Sequence, residues 1–235
     1  MPQFTPFLRY AGFGAIAGFV MFSMSPAQAA DFSFRGSFER DDEVQLFNFT
    51  VGALSDVTLR TYSYAGGTQA DGTVVPRGGF DPILALFDAT GALIGQNDDG
   101  ASPNVPVDPV TNQTYDTFLQ VALALGNYTV AVMQYDNFAV SPNLANGFTR
   151  QGQGDFTSTA FLASPNCGQP AFCDVTGNGR TNAWAFDILN VSAAVEVPND
   201  PTDPTTPIPE PLTLGGTLLA FGGLVTARRR KAQRV

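Results

Sequence analysis

The chain has 235 residues, a formal net charge of −9, no histidine and two cysteines. The absence of histidine excludes Ser-His-Asp and Cys-His catalysis and histidine-ligated zinc, since each needs an imidazole. The acidic balance also excludes nucleic acid as a favoured partner, because a negative surface repels the phosphate backbone.

Residues 1–29 have the organisation of a secretory signal. Arg9 precedes a glycine-containing apolar run, and the small residues Ala27 and Ala29 have the spacing that signal peptidase recognises. Cleavage there leaves Ala30 as the mature N-terminus. A buried helix is the alternative, but the glycines weaken it. We therefore predict export through the Sec translocon and removal of the signal helix by signal peptidase.

The segment after the signal, residues 30–197, has the size of one domain. Residues 30–209 contain six arginines and no lysine against twenty acidic residues, a net charge of −14. One β-sandwich of this length can bury a substantial core, whereas two domains would each be small. Such an acidic surface is compatible with divalent cations and with an extracellular setting.

Short apolar or alternating segments, separated by Gly, Pro, Asn and Asp, indicate β-strands across this domain. In the first, Phe47, Phe49 and Val51 fall on one face, as in a strand with one buried side. The fold class expected is all-β, an antiparallel β-sandwich. The predicted strands are residues 43–51, 56–64, 82–88 with 92–96, 117–125, 128–135, 158–163 and 182–191.

Two long irregular segments, residues 65–80 and 98–116, interrupt the strands, and loops of this length are either functional or disordered. Acidic residues border them, and calcium takes six to eight oxygen ligands of this kind. Alternatively, the carboxylates are solvated turn formers. Calcium is thus the one candidate cofactor. Its candidate ligands are Asp81, Asp88, Asp98, Asp99 and Asp116.

Residues 174–179 resemble the first half of an EF-hand calcium loop. The twelfth position of that motif holds a bidentate Glu, but here it is Ala185. This segment is therefore a weaker metal candidate than the five aspartates.

Cys167 and Cys173 lie close together in the sequence. In an exported protein such a pair favours a disulfide that closes a small loop. Two free thiols are the alternative.

The remaining side-chain chemistry leaves two further functions open. Exposed aromatic rings could stack on sugars and make the domain a carbohydrate-binding module, although a sandwich of this size also needs aromatics for its core. A glycosidase would need two carboxylates at a fixed separation across a cleft, which the sequence does not indicate. The aromatic residues in question are Tyr62, Tyr64, Tyr115, Tyr135 and Phe138.

The C-terminal part begins with a linker and ends as a membrane anchor. Residues 198–207 are rich in Pro, Asp and Thr and form an extended linker. Residues 212–227 are uncharged and apolar, near the lower limit of the roughly 20 residues that a transmembrane helix needs. The basic tail, residues 228–235, should stay in the cytoplasm. Its stop-transfer residues are Arg228, Arg229, Arg230 and Lys231.

Residues 208–235 resemble the PEP-CTERM sorting signal of Gram-negative bacteria. The resemblance rests on Pro209, Glu210 and Pro211, on the glycine-rich apolar segment that follows, and on the terminal arginine cluster. It implies that an exosortase-type protease recognises the tripeptide, removes the anchor and releases the protein into the envelope or extracellular matrix. A plain C-terminal anchor is the alternative.

The middle of the chain, roughly residues 34–137, resembles the pre-peptidase C-terminal (PPC-like) β-sandwich. The resemblance implies a jelly-roll-like, non-catalytic module that sometimes binds calcium. Residues 172–188 are a weaker match to a closing strand. The segments that carry the resemblance are residues 41–49 (DDEVQLFNF), 79–88 (GFDPILALFD), 97–100 (NDDG) and 125–130 (LGNYTV).

Together these features predict a non-catalytic structural or interaction protein, exported, anchored transiently in the inner membrane and then sorted to the outer envelope or beyond. The second hypothesis is an exopolysaccharide-binding module, and the third is a hydrolase. A binding module should present aromatic rings side by side on a solvent face, whereas a structural sandwich should bury them.

Overall fold

The computed structural model describes residues 28–158 and 167–198. The helices among these residues are two single 3-10 turns, Leu144–Asn146 and Phe156–Ser158, and the remaining elements are strands. The predicted all-β class is confirmed. The strands are β1 (Ala30–Ser37), β2 (Val44–Val51), β3 (Ser55–Thr61), β4 (Gly67–Thr68), β5 (Val74–Val75), β6 (Pro82–Phe87), β7 (Leu93–Asn97), β8 (Phe118–Leu123), β9 (Gly126–Gln134), β10 (Ala183–Val191) and β11 (Ala193–Glu196).

The long strands form two sheets, and all pairings within them are antiparallel. The first sheet has the order β1-β10-β3-β8 and the second has the order β11-β2-β9-β6-β7, while β4 and β5 form a separate ribbon. Strands from the end of the domain, β10 and β11, pair with strands from its beginning, β1 and β2. The described part of the chain is therefore one β-sandwich unit.

Side chains from both sheets meet in a shared aromatic core. The ring of Phe47, on β2, lies 5.2 Å from Phe186 and 5.6 Å from Trp184, both on β10, measured between ring centroids. Phe47, Phe49 and Val51 are all buried, which confirms the predicted face of β2. Burial of each such side chain contributes about 1.5–3 kcal/mol, so this core is the main source of stability.

A second, smaller core covers the outer face of the second sheet. Ile83, Ala85 and Phe87 of β6 pack there with Met133 of β9, beneath the chain that follows β9 and includes Phe138. Every residue of β6 is consequently buried. The continuous apolar run of this strand, rather than an alternating one, is typical of a strand covered on both faces.

Some predicted elements differ from the structure or lie outside it. β1, β4, β5 and β11 were not among the predicted strands. The predicted strand 158–163 falls almost entirely outside the described residues, and Ser158 itself ends a 3-10 turn. The predicted signal helix and the C-terminal helix 212–227 also lie outside the described residues. No helix formed by the described residues has the length and apolarity that a membrane span requires.

Candidate functional site

An acidic cluster lies where three neighbouring strands of the second sheet end together. Asp81 immediately precedes β6, Asp98 and Asp99 follow β7, and Asp136 comes shortly after β9. β6 lies between β9 and β7 and pairs antiparallel with both, so its start meets the ends of its neighbours. The topology thus brings together carboxylates that are far apart in the sequence.

The first sheet reaches the same point through the residues ahead of β8. The Thr117 hydroxyl lies 2.7 Å from the Asp98 carbonyl oxygen and also contacts the Pro82 carbonyl oxygen. The Gly100 amide donates a hydrogen bond of 2.7 Å to the Asp116 carbonyl. The acidic cluster therefore lies at the junction of the two sheets, at one end of the sandwich.

Asp81 is the most deeply buried acid of the cluster. It is 2% exposed, and its Oδ1 atom is buried without a hydrogen-bond partner. Burial, followed by the charges of Asp99, Asp98, Asp174 and Asp116, raises the pKa of Asp81 well above its ordinary value. An ionised carboxylate in this position is costly unless a proton or a cation neutralises it.

Asp98 and Asp99 share this unfavourable environment. The Oδ1 atom of Asp98 is buried without a partner, and its pKa is raised by burial and then by the charge of Asp136. Asp99 is more exposed, yet partial loss of its hydration and the charge of Asp98 raise its pKa to about 6. The cluster thus combines a buried acid, Asp81, with the half-buried Asp98 and with Asp99 at the surface.

Asp116 is buried too, but its carboxylate is satisfied. It accepts hydrogen bonds from the Tyr64 amide (3.0 Å), the Ala65 amide (2.8 Å) and the Thr61 hydroxyl (3.0 Å). Burial raises its pKa in spite of these bonds. This side chain joins the start of loop 65–80 to the end of loop 98–116, which is a structural role.

Asp88, grouped by the sequence with the other candidate ligands, lies at the opposite end of β6 from Asp81. A strand of six residues is about 20 Å long. The Asp88 carboxylate accepts hydrogen bonds from the Thr90 amide (2.8 Å), the Thr90 hydroxyl (2.7 Å) and the Ala92 amide (3.0 Å). The bonds from Thr90 and Ala92 lower its pKa, so Asp88 is a turn former and not part of the cluster.

Asp174 belongs to the surroundings of the cluster, although the sequence indicated it only through the weak EF-hand resemblance. Its Oδ1 accepts from the Thr176 and Asn178 amides, each at 2.9 Å, and its Oδ2 accepts from the Tyr64 hydroxyl at 2.7 Å. Burial acts to raise its pKa, but bonds from Tyr64, Asn178 and Thr176 outweigh it and the pKa is lowered. The segment 174–178 is a turn closed on its own carboxylate.

The two long loops are tied together by a buried ion pair that the sequence did not indicate. Asp108, in loop 98–116, is fully buried and accepts two hydrogen bonds from the Arg77 guanidinium, at 2.9 and 3.0 Å. Arg180 lies 3.5 Å from the same carboxylate and stacks 3.6 Å from the centroid of the Tyr64 ring. Both loops are therefore held against the sandwich.

As a metal site the cluster is incomplete in its present geometry. Among residues 28–158 and 167–198, no three Asp, Glu, Cys or His side chains stand close enough together to hold a metal ion. The buried, unpartnered oxygens of Asp81 and Asp98 nevertheless provide acceptors that a cation would satisfy. The donor set, oxygen only, suits calcium or magnesium rather than zinc.

The aromatic residues that could have stacked on sugars do not form an exposed platform. Tyr62 and Tyr64 are buried, and Tyr115, Tyr135 and Phe138 are half-buried. Tyr115 packs edge-on against Tyr64 at 5.0 Å, and Tyr135 against Phe138 at 5.5 Å, between ring centroids. In the described part of the chain, every Phe, Tyr and Trp side chain is buried or half-buried.

The two cysteines form the predicted disulfide. Cys167 and Cys173 are bonded, with 5.6 Å between their Cα atoms. Cys173 is buried, and its amide donates a hydrogen bond of 3.1 Å to the Thr157 hydroxyl. The bridge therefore fixes a loop against the body of the sandwich.

The sequence matches no protein-family model, and no curated protein is significantly similar to it. The resemblances to the PEP-CTERM signal and to the PPC-like sandwich therefore stay predictions. The sorting tripeptide, Pro209 to Pro211, and the stop-transfer cluster lie outside the described residues. Of the predicted signal cleavage site, Ala29 and Ala30 are described: Ala30 is exposed and is the first residue of β1.

Proposed function

We propose that this chain is an exported, non-catalytic protein of the bacterial envelope or extracellular matrix, whose functional unit is a jelly-roll-like β-sandwich. The observation that carries the proposal is the disulfide between Cys167 and Cys173. Disulfides persist in oxidising compartments and are rare in the cytoplasm. The signal-like organisation of residues 1–29 supports the same destination.

The limits of the sandwich agree with processing at both ends. β1 begins at Ala30, the residue that signal peptidase would leave first. At the other end, the Val197 amide donates to the Leu46 carbonyl at 2.9 Å, and the Val197 carbonyl accepts from the Gln45 side chain at 2.7 Å. The predicted signal cleavage therefore precedes β1, and the predicted sorting cleavage follows the last described residue, so both would leave the described core intact.

In this proposal the C-terminal segment has a sorting role. The Sec translocon exports the chain. The apolar residues 212–227 then anchor it in the inner membrane, and the basic cluster that follows them, residues 228–231, stays in the cytoplasm. An exosortase-type protease then cuts at the tripeptide and releases the sandwich. The linker, residues 198–207, supplies the reach, because a Pro-rich segment is extended.

The burial of the aromatic residues favours a structural role over binding of polysaccharide. A stacking platform needs rings that are open to solvent, and the five aromatics that the sequence indicated are buried or half-buried. Hydrophobic packing accounts for Tyr64, which is 0% exposed and contacts Tyr115.

The decisive experiment is the intact mass of the protein recovered from the culture medium and the envelope fractions of the native host. We expect a mass that starts at Ala30 and ends near Pro209 or Glu210, outside the inner membrane. A Glu210→Ala variant should keep its anchor and remain in the inner membrane. Asp203→Ala, which removes one linker carboxylate, is the matched control and should be processed normally.

Wild-type protein that retains Arg228 to Val235 in the inner membrane would contradict sorting with release. Protein that keeps residues 1–29 and stays in the cytoplasm would contradict export altogether.

A further inference from the structure

We propose that Asp81, Asp98 and Asp99 form a binding site for one divalent cation, with the coordination preferences of calcium, at the junction of the two sheets. The site belongs to the sandwich itself. It is therefore independent of export and sorting and goes beyond the proposed function.

The first argument is the two carboxylate oxygens that lack a partner. Oδ1 of Asp81 and Oδ1 of Asp98 are both buried, and neither accepts a hydrogen bond. Asp116 and Asp174, by contrast, each accept several. A buried acceptor without a partner is uncommon in folded proteins and points to a missing ion or water.

The second argument is the distribution of positive charge. Among the described residues there are five ion pairs, and none of them includes Asp81, Asp98 or Asp99. Arg150 pairs with Asp136, the fourth acid of the cluster, and Arg180 lies near Asp108, so neither pairs with the three proposed ligands. The sequence has no histidine, and its single lysine is at position 231. The other four arginines of the sandwich also form no ion pair with these three acids: three pair with other aspartates and the fourth lies over the Tyr62 ring. They are Arg35, Arg40, Arg77 and Arg60.

The third argument is the way the topology fixes the acids. Asp81 at the start of β6 and Asp98 just past β7 stand on adjacent, paired strands. The Thr117 hydroxyl holds the Asp98 main chain against the other sheet at 2.7 Å. The backbone of the site is thereby preorganised, and only side chains have to move when an ion binds.

The three carboxylates do not yet converge on one point, because no three acids of the described residues stand within reach of a common ion. Asp99 is the exposed member, so binding requires its side chain to turn inward and close the site over Asp81 and Asp98. Main-chain carbonyls and water would complete the shell. Calcium accepts six to eight oxygens in flexible geometry, whereas magnesium demands a near-ideal octahedron, so calcium fits this irregular set better.

The test is equilibrium dialysis of the purified full chain in detergent against calcium, together with its thermal unfolding in calcium and in chelator. We expect about one calcium ion bound per chain, with a dissociation constant of about 0.1–1 mM, as in extracellular modules. At about 10 mM calcium, the Tm should then rise by about 3–10 °C. Magnesium at the same concentration should raise it much less.

Variants separate this site from the general acidity of the surface. Asp81→Asn and Asp99→Asn should each lower the calcium affinity at least about tenfold, and Asp99→Asn, at an exposed position, should do so without loss of the fold. Asp56→Asn is the matched control, because Asp56 is exposed and lies at the end of β3 away from Thr61. It should bind calcium like the wild type.

Two outcomes would overturn the proposal. The first is no stoichiometric calcium uptake by the wild type, together with a Tm that calcium does not raise; this would mean that a proton and not a cation neutralises Asp81. The second is equal calcium binding by the wild type, Asp81→Asn and Asp99→Asn, which would mean diffuse attraction to an acidic surface. Neither outcome depends on where the protein is sorted.

Discussion

Asp116→Ala should destabilise the protein strongly, because the Asp116 carboxylate is the common acceptor for three donors. Two of them, the Tyr64 amide and the Thr61 hydroxyl, are buried, and the Ala65 amide is partly buried. Each buried donor left without a partner costs about 1–3 kcal/mol. Loss of Asp116 also removes a carboxyl whose pKa is raised by burial, which offsets part of the loss. We expect the free energy of unfolding to fall by about 2–4 kcal/mol.

Asp116→Asn should lie between the wild type and Asp116→Ala. The two buried donors share Oδ1, whereas the Ala65 amide bonds to Oδ2. An amide can keep its oxygen toward the buried pair and lose only the bond to Ala65. We expect a loss of about 1–2 kcal/mol.

Urea unfolding followed by tryptophan fluorescence measures these differences, since Trp184 is the only tryptophan in the sequence and is 4% exposed. Asp56→Ala is the control and should stay within about 0.5 kcal/mol of the wild type. A loss below about 0.5 kcal/mol for Asp116→Ala would refute the structural role of this carboxylate. Retention of calcium binding by a folded Asp116→Ala variant would separate its role from that of Asp81.

Three further predictions concern packing, the disulfide and pH. Gly79→Ala should destabilise by about 2 kcal/mol or more in urea unfolding, because its Cβ would lie 2.4 Å from the Ala183 carbonyl oxygen and 2.6 Å from that of Ser63, both main-chain atoms. Gly126→Ala meets only the Tyr128 ring at 3.5 Å or more and should change stability little; equal effects of the two substitutions would contradict the steric argument. Replacing both cysteines by serine should lower the free energy of unfolding by about 2 kcal/mol, because the bridge closes a short loop with a sequence separation of 6; an unchanged urea midpoint would contradict this. In chelator, stability should fall as pH rises from about 4 to 6, because the pKa of Asp99 is raised to about 6 and the folded state binds more protons than the unfolded state in that window. Thermal unfolding at pH 5 and pH 7 measures the effect, and greater stability at pH 7 in chelator would contradict it.

The pH range of about 4 to 6, over which stability should fall, is set by the acids with raised pKa, because acids with a lowered pKa titrate below this range. The pKa of Asp71 is lowered to about 2 by its bonds to Arg35 and Thr73. An acid whose pKa is lowered in the folded state stabilises the fold at pH values above its pKa in the unfolded state. This contribution is lost only as the pH falls below about 4. Between pH 4 and 6, therefore, the slope is determined by the acids with raised pKa, which include those of the cluster and also Asp41, Asp116 and Glu196.

The strands that could be predicted from the sequence are those with a strong period or a long apolar run. β2 alternates cleanly, with Phe47, Phe49 and Val51 buried, and β6 is apolar throughout. β1 carries polar or small residues at most positions and lies at a sheet edge, so its pattern is weak. β4 and β5 have two residues each, which is too short for any period to appear.

The second core shows a limit of reasoning from single strands. The continuous apolar run of β6 predicted a strand, but it did not indicate which part of the chain covers the outer face of that strand. The cover comes from the irregular chain after β9, where Phe138, Leu144 and Phe148 pack against the sheet without strand or helix periodicity. Apolar residues spaced irregularly in a loop give no periodic signal, although together they bury one face of a sheet.

The directions of the strands explain why part of the candidate site could be predicted from the sequence. In an antiparallel sheet, the residue before one strand lies beside the residues after its neighbours, so Asp81 meets Asp98 and Asp99. Asp88 follows β6 and therefore lies at the other end, although it is closer to Asp81 in the sequence than Asp98 is. Only the pairing of β6 with β9 adds Asp136 to the same edge, and that pairing joins residues some fifty positions apart. The direction and pairing of neighbouring strands, rather than sequence distance, thus decide which acids meet, and the acid contributed by the distant pairing, Asp136, required the structure.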